Sequence, residues 1–350
     1  MHVVLLGDAP AQLFVLEALA RGRLPSARVT LVSPNAHYLH HGLRPALVAG
    51  TLDPAAVALD LRELARRVGA DFIQATPHRL DPGARRLDLD GAPTVEWDVL
   101  ALGLGTEPRD LATPGVAAHA VACGPETPPE RVVEALERLA DGARVLVVGD
   151  DIDAVELAFA VRTRLGARGR VGLVAPGPEL LPGEARGLAA LVAERLAARG
   201  ITLALGGRST AVEAGGLVLG SGARVPAALV LWAAAPAPGV LLREAGLALD
   251  DAGRLATDEH LRSTSHPGVY DATDGPVLAR NLAAAVTGRS PAARTRHPRP
   301  LVRTVDTADG RAVLSRDEFT FATSWAARLR RVSDERFIRR FRELRSAAPS

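Results

Sequence analysis

The 350-residue chain has no lysine, so all 42 of its basic residues are arginine. Chemistry that needs a primary amine, such as a Schiff base or the P-loop lysine, is therefore excluded. Cysteine is almost as scarce: Cys123 stands alone, which rules out an internal disulfide, a CxxC redox pair and a thiolate zinc site. An excess of charge of one sign is missing as well, since 42 basic residues against 40 acidic ones leave a formal net charge of +2. No apolar run reaches the length of a membrane span, and no basic stretch followed by a short apolar one opens the chain. A cytoplasmic protein, with the option of resting on a membrane face, is the expectation. What is present, 47% hydrophobic and 23% charged residues in a length suited to about two domains, is ordinary globular material.

Two stretches copy one another. The first runs His2-Val3-Val4-Leu5-Leu6-Gly7-Asp8, then a helical pattern, then Arg28-Val29-Thr30-Leu31-Val32-Ser33-Pro34; the second runs Arg144-Val145-Leu146-Val147-Val148-Gly149-Asp150, a helical pattern, then Arg170-Val171-Gly172-Leu173-Val174-Ala175-Pro176. Glycine and closing proline are equally spaced in both. Each copy opens with a short continuous apolar run, which suits a strand buried on both faces. Apolar residues at helical spacing follow, Leu13, Leu16 and Ala20 in one copy and Val155, Ala158 and Val161 in the other. The pattern predicts a βαβ unit, twice.

Around these units the sequence predicts helices over 51–69, 128–140 and 183–199, the last ending at Gly200. Strands are predicted at Asp71–Ile73, Arg86–Leu89, Trp97–Leu100, Ile201–Leu205 and Leu229–Trp232. The proline-rich stretch Ala233 to Gly239 reads as a crossover, and residues 289–300 as a linker. The expected fold is α/β, with two Rossmann-like doubly wound domains, the second inserted in the first, and a small C-terminal segment. Residues 1–112 with 236–288 would form one domain, 113–235 the other, and 289–350 the appendage.

A strand–turn–helix binds pyrophosphate through helix N–H groups and the helix dipole, and a G-x-G-x-x-G turn lets the backbone approach it. The first turn here reads Gly7-Asp8-Ala9-Pro10-Ala11-Gln12, the second Gly149-Asp150-Asp151-Ile152-Asp153-Ala154. Only the leading glycine stands in each, with Ala154 an accepted third residue in the second. Ala9 and Asp151 occupy the close-approach positions. Asp150, Asp151 and Asp153 bring three carboxylates to the mouth that should meet a dianion; like charges about 4 Å apart repel by ~1 kcal/mol in water and ~4 kcal/mol at an effective dielectric of 20, against a helix-dipole gain of about 0.3–1 kcal/mol. Ser33 and Ala175 stand where a ribose-binding acid is expected. The bland alternative is a pair of helix starts in which the aspartates only cap.

The first turn, together with Ser33-Pro34-Asn35-Ala36-His37-Tyr38 and Gly42-Leu43-Arg44-Pro45, resembles the FAD domain of the pyridine nucleotide-disulfide oxidoreductases, in the type II NADH dehydrogenase-like branch that includes forms associated with selenide, water dikinase. Asp98 to Pro108, Leu261 to Tyr270 and Gly275 to Leu282 extend the resemblance over nearly the whole chain. It implies FAD on the first unit, with Gly7, Ala9, Ser33, Gly105, Thr106 and Asp274 in contact, and NAD(P)H on the inserted unit at Gly149, Asp151 and Ala154. The departures fall on these same places: the closing FAD motif is Tyr270-Asp271-Ala272-Thr273-Asp274, with Thr273 for a glycine, and a segment between that aspartate and Gly275 is missing. The family's Ala-Thr-Gly is Ala233-Ala234-Ala235. Two functions are thus expected to compete: an FAD-dependent NAD(P)H:acceptor oxidoreductase with impaired NAD(P)H binding, or an inactive relative kept as a binding or regulatory module. No acid, base or nucleophile is identifiable.

His37, His40 and His41 form the densest histidine group, read as a loop by the flavin edge rather than a metal site. Cys123 lacks the partner that disulfide chemistry needs. At the C-terminal end Trp325, Leu329, Val332, Phe337, Ile338, Phe341 and Leu344 recur at helical spacing among eight arginines between 328 and 345. Such a basic amphipathic helix suits a membrane face, a partner protein, a homodimer contact or the chain's own core. A quinone or small molecule is the expected electron acceptor, and nucleic acid is not expected.

Overall fold

The computed structural model describes residues 1–104, 106–124, 127–234, 236–251, 253–295, 302–316 and 319–345. Two five-stranded parallel sheets organise the chain. In the first the strands lie side by side in the order Val269–Asp271, Val99–Gly103, His2–Gly7, Arg28–Ser33 and Asp71–Gln74. In the second the order is Ala120–Ala122, Leu229–Trp232, Arg144–Val148, Arg170–Val174 and Ile201–Ala204. The repeat goes further than the βαβ unit. In each half the parallel strands lead into a three-stranded antiparallel meander, Pro77–Asp81, Arg86–Leu89 and Ala92–Glu96 in one and Ser209–Glu213, Gly216–Leu219 and Arg224–Pro226 in the other. The strand after the meander then returns to lie beside the founding strand, pairing Gly7 with Gly103 and Val148 with Trp232.

The chain leaves the first sheet through Thr106–Pro108 and re-enters it through Pro236–Pro238, and these two segments pair antiparallel. The proline-rich crossover is thus half of a ribbon. The helices after the two turns, Pro10–Ala20 and Ile152–Leu165, each bury most of their length against their sheet; apolar burial at roughly 1.5–3 kcal/mol per large side chain is what holds them there.

The predicted helix over 51–69 is two helices, Pro54–Val57 and Leu61–Val68, separated by a short strand, Leu59–Asp60. The reason is local capping: Asp53 accepts from the Ala55 N–H and Asp60 from the Glu63 N–H, so each starts its own helix. The extended step between them pairs with His37–Tyr38. The strand predicted at Trp97 begins at Val99, while Pro129–Glu137 and Arg186–Ala198 fall inside their expected ranges.

The C-terminal segment is a third antiparallel meander, Arg303–Asp306, Ala312–Arg316 and Phe319–Thr323, then the helix Ser324–Arg342. The single apolar stripe expected along this helix is in fact two. Ile338 and Phe341 are buried in the first unit's core, with Phe337 and Leu344 packed against it; Phe341 meets Phe14 edge-on at 5.3 Å and Phe337 stacks on His40 at 4.6 Å. Trp325, Leu329 and Val332 face outward. Apolar positions at this spacing drift around the helix axis, and here one group turns inward and the other out.

Candidate functional site

A glycine that nothing larger can replace closes the first founding strand and directly follows the second. A Cβ on Gly7, whose φ is +94°, would lie 2.1 Å from the Gly103 carbonyl oxygen; a Cβ on Gly149 would lie 2.2 Å from that of Ala233. The steric requirement of the tight turn is therefore kept in both units. The residues after the glycine set the two turns apart.

In the first turn Ala9 is the N-cap of the helix Pro10–Ala20 and no side chain caps it. The Ala9 methyl lies toward Gly103, where an added Cβ would come within 2.8 Å of it. Gln12, at the third-glycine position, is buried and turns inward: its Nε2 donates to the carbonyls of Leu6 at 2.7 Å and Ala101 at 3.3 Å, while its Oε1 has no partner. Asp8 accepts from Asn35 Nδ2 at 3.0 Å, and burial pushes its carboxyl above the usual range against that bond. Ser33 is buried at the end of its strand and its hydroxyl accepts from the Asn35 N–H at 3.1 Å. Beside this turn opens a cavity of about 500 Å³ bordered by Asp8, Asn35, His37, Arg44, Gln74 and Glu130, within the size range of small-molecule sites.

In the second turn the helix Ile152–Leu165 is capped by its own side chain, since Asp151 accepts from the Ala154 N–H at 2.9 Å. Its carboxylate thus occupies an anion's place at the helix start. Burial, reinforced by Asp153 and Asp150, pushes the Asp151 carboxyl up to about 6. The three carboxylates at this mouth sit in different surroundings, although Asp150 and Asp153 both act on Asp151. Burial pushes Asp153 upward, but His41, 3.0 Å away, and the charges of Arg44 and Arg330 outweigh it and hold the carboxyl low. The Asp150 carboxylate lies toward Gly177. Asp151 is thus the carboxylate that caps the helix, with Asp153 paired to His41 beside it.

The His41–Asp153 pair joins the two units, and beside it lies a small cavity of about 90 Å³ lined by His41, Arg44, Cys123, Asp151, Asp153 and Glu156. The hydrogen bond to Asp153 raises the His41 imidazole above its ordinary value. Cys123 donates to the Val121 carbonyl at 3.3 Å, and burial pushes its thiol up to about 12, which keeps it protonated and unreactive at neutral pH. Of the other histidines, His40 accepts or donates at Tyr38 Oη (2.7 Å) and faces Asp334 at 3.3 Å, so the group turns to separate carboxylates and does not converge.

Asp274 caps the helix Gly275–Val286 by accepting from the Val277 N–H at 3.1 Å, and Thr273 donates to Asp271 at 2.8 Å. That helix packs on Pro10–Ala20 with Gly275 against the Phe14 ring. Gly105 lies outside the described residues, and the Thr106 backbone pairs with Pro238. Two buried glutamates escaped the reading of the sequence. Glu17 and Glu156, one on the helix after each turn, are 5% and 2% exposed. Arg340 and Arg21 pair with Glu17; Arg330 and the Asp306 N–H satisfy Glu156. Each glutamate sits four residues after an apolar stripe position, Leu13 or Ile152, and an acid on that stripe was the available signal.

Comparison with known proteins agrees with this arrangement. A family model described as pyridine nucleotide-disulphide oxidoreductase matches residues 1–289. The chain is similar to an NADH dehydrogenase-like protein of Mycobacterium tuberculosis, 28% identical over 238 residues, which are 63% of this chain and 59% of that protein. It is also similar to a demethylphylloquinone reductase of Synechocystis, 24% identical over 258 residues, 71% of this chain and 64% of the relative. The matches therefore span less than two thirds of either relative. Among solved structures, the sulfide:quinone oxidoreductase of Aquifex aeolicus shares the fold with a TM-score of 0.76 at 16% identity, over 100% of this chain and 93% of that one. NDH2 of Plasmodium falciparum, solved with NADH, shares it at 0.75 and 12% identity, over 97% of each chain.

Proposed function

Because the chain belongs to the pyridine nucleotide-disulphide oxidoreductase family, we propose that it is an FAD-binding oxidoreductase of the NADH dehydrogenase-like branch in which the nicotinamide turn works poorly. One observation carries this reading: the first helix start is uncapped by any side chain, with a cavity of about 500 Å³ bordered by Asp8 beside the turn, whereas the second is already filled by Asp151. The donor set at the first turn fits a dinucleotide diphosphate. The Gly7–Ala9 main chain at the helix start and the Ser33 hydroxyl at the end of the neighbouring strand supply donors; Asp274, at the start of the helix packed on it, is an acceptor for a hydroxyl of the bound group, and Gly105 and Thr106 are the further contacts we assign. A bound flavin supplies hydride and single-electron transfer. Gly149, Asp151 and Ala154 form the weakened NAD(P)H turn. Residues 1–112 with 236–288 serve as the FAD unit and 113–235 as the nicotinamide unit, with 289–350 as an appendage.

The acceptor we assign is a quinone or a comparable small molecule, reached at the cytoplasmic face of the membrane. Support comes from the quinone reductases among the relatives and from the outward apolar face of the C-terminal segment, where Phe319 and Leu329 are 76% and 60% exposed beside Phe321, Trp325 and Val332. Among the described residues no helix is long and apolar enough to cross a membrane. The second reading, an inactive binding or regulatory module, rests on the same capped second turn.

The visible spectrum of the purified chain supplied with FAD decides between them. Flavin bands that stay with the protein through gel filtration support the first reading, and anaerobic NADH should then bleach them slowly. A colourless protein overturns it, and rapid bleaching overturns the claim of a weakened second turn.

A further inference from the structure

Away from both turns, the helices Pro10–Ala20 and Gly275–Val286 leave between them a groove of about 650 Å³ that shares no lining residue with the two cavities beside the turns. Its floor is apolar, made by Phe14, Ala18 and Ala279, and its rim carries Arg21, Arg23, Arg280, Arg289 and Arg340. A single carboxylate, Glu17, faces these five guanidinium groups, and it is already engaged. It takes one N–H of Arg21 at 2.8 Å and two of Arg340, at 3.0 and 2.6 Å. A guanidinium has five N–H donors, so Arg21 keeps four and Arg340 three. Arg280 spends its Nε on the Pro276 carbonyl, and among the described residues no carboxylate pairs with Arg23, Arg280 or Arg289.

We propose that this groove is a binding site for a phosphate ester that carries an apolar group. Guanidinium forks match phosphate oxygens two at a time, and the cluster holds far more donors than its one acid can use. The small residues of the floor leave a slot in which the ring or chain attached to the phosphate lies against Phe14, while Arg340, stacked over Phe14 at 4.8 Å, closes one end. Such an ester has two sources, a soluble nucleotide or an anionic phospholipid headgroup.

Titration calorimetry of the full chain with ATP tests the first source, and flotation with phosphatidylglycerol vesicles, against phosphatidylcholine ones, tests the second. Binding in at least one arm should weaken at least about tenfold in the doubly substituted Arg23→Glu, Arg280→Glu chain. It should weaken less in Arg289→Gln, and hold in Arg79→Glu, which makes the same kind of charge reversal on a distant hairpin. High salt should weaken it as well, because the rim is exposed. Failure of both probes to bind overturns the proposal, as does binding that the double variant and Arg289→Gln leave unchanged. Retained flavin absorbance in these variants separates this outcome from the reading of the first turn.

Discussion

The two turns of this protein share a framework and differ in what stands at the helix start, Ala9 in one and Asp151 in the other. Each has a glycine at the end of the founding strand or directly after it, against a main-chain carbonyl at the end of the returning strand or directly after it, Gly103 in one unit and Ala233 in the other. Each helix after the turn buries a glutamate which an arginine of the C-terminal helix neutralises. Yet the helix start is empty of carboxylate in the first turn and filled by Asp151 in the second. The difference teaches that sterics preserve a βαβ turn whether or not it holds a ligand. Its capacity for an anion depends on what stands at the N-cap.

The shared framework is the place for the largest effect. Gly7→Ala and Gly149→Ala should each cost more than about 3 kcal/mol, since a methyl at either position overlaps a main-chain oxygen that cannot move without its strand. Denaturant unfolding of the two variants measures this, and a tolerated Gly149→Ala would break the equivalence of the turns. Next comes Arg330→Ala, which strands Glu156 with only a main-chain N–H; a loss of about 3 kcal/mol is expected by the same measurement.

Asp151 sharpens the contrast through pH. Its folded pKa, about 6, lies above the unfolded value of about 3.9, so the unfolded chain releases this proton more easily. The contribution to stability is intact below about pH 4, is lost as pH rises toward 6, and stays lost above that. Asp151→Asn, which keeps a capping oxygen, should therefore stabilise the protein by about 1–2 kcal/mol at pH 7.5 and by little at pH 4, read as melting temperatures at the two pH values. The companion Asp151→Gly should strengthen NADH binding by fluorescence titration; unchanged binding would show that the carboxylate is not what closes this turn. The smallest effect is expected for Arg340→Ala, about 1 kcal/mol in denaturant unfolding, because Arg21 still serves Glu17.

Much of the architecture was legible in the residues. The repeated apolar run, glycine and β-branched run located both βαβ units because a strand buried on two faces tolerates little else. The duplicated meanders were harder to see, since only Arg86–Leu89 alternates clearly. The break between Pro54–Val57 and Leu61–Val68 hid behind a helix-like pattern, although Asp53 and Asp60 were in plain view as caps. At the candidate site the sequence placed Asp151 at the helix start but did not show the partner of Asp153. That Asp153 would be neutralised depends on His41, 112 positions earlier in the chain.

The order of residues thus settled the local matters: which segments become strands, where glycine is compulsory, and that an acid stands at the second helix start. These are consequences of backbone sterics and neighbouring side chains alone. The tertiary structure decided the rest, namely which face of the C-terminal helix is covered, which arginine answers which buried glutamate, and which turn keeps room beside it. Those outcomes depend on groups far apart in the chain that meet only when the units pack, because charge and volume act through space and not along the backbone.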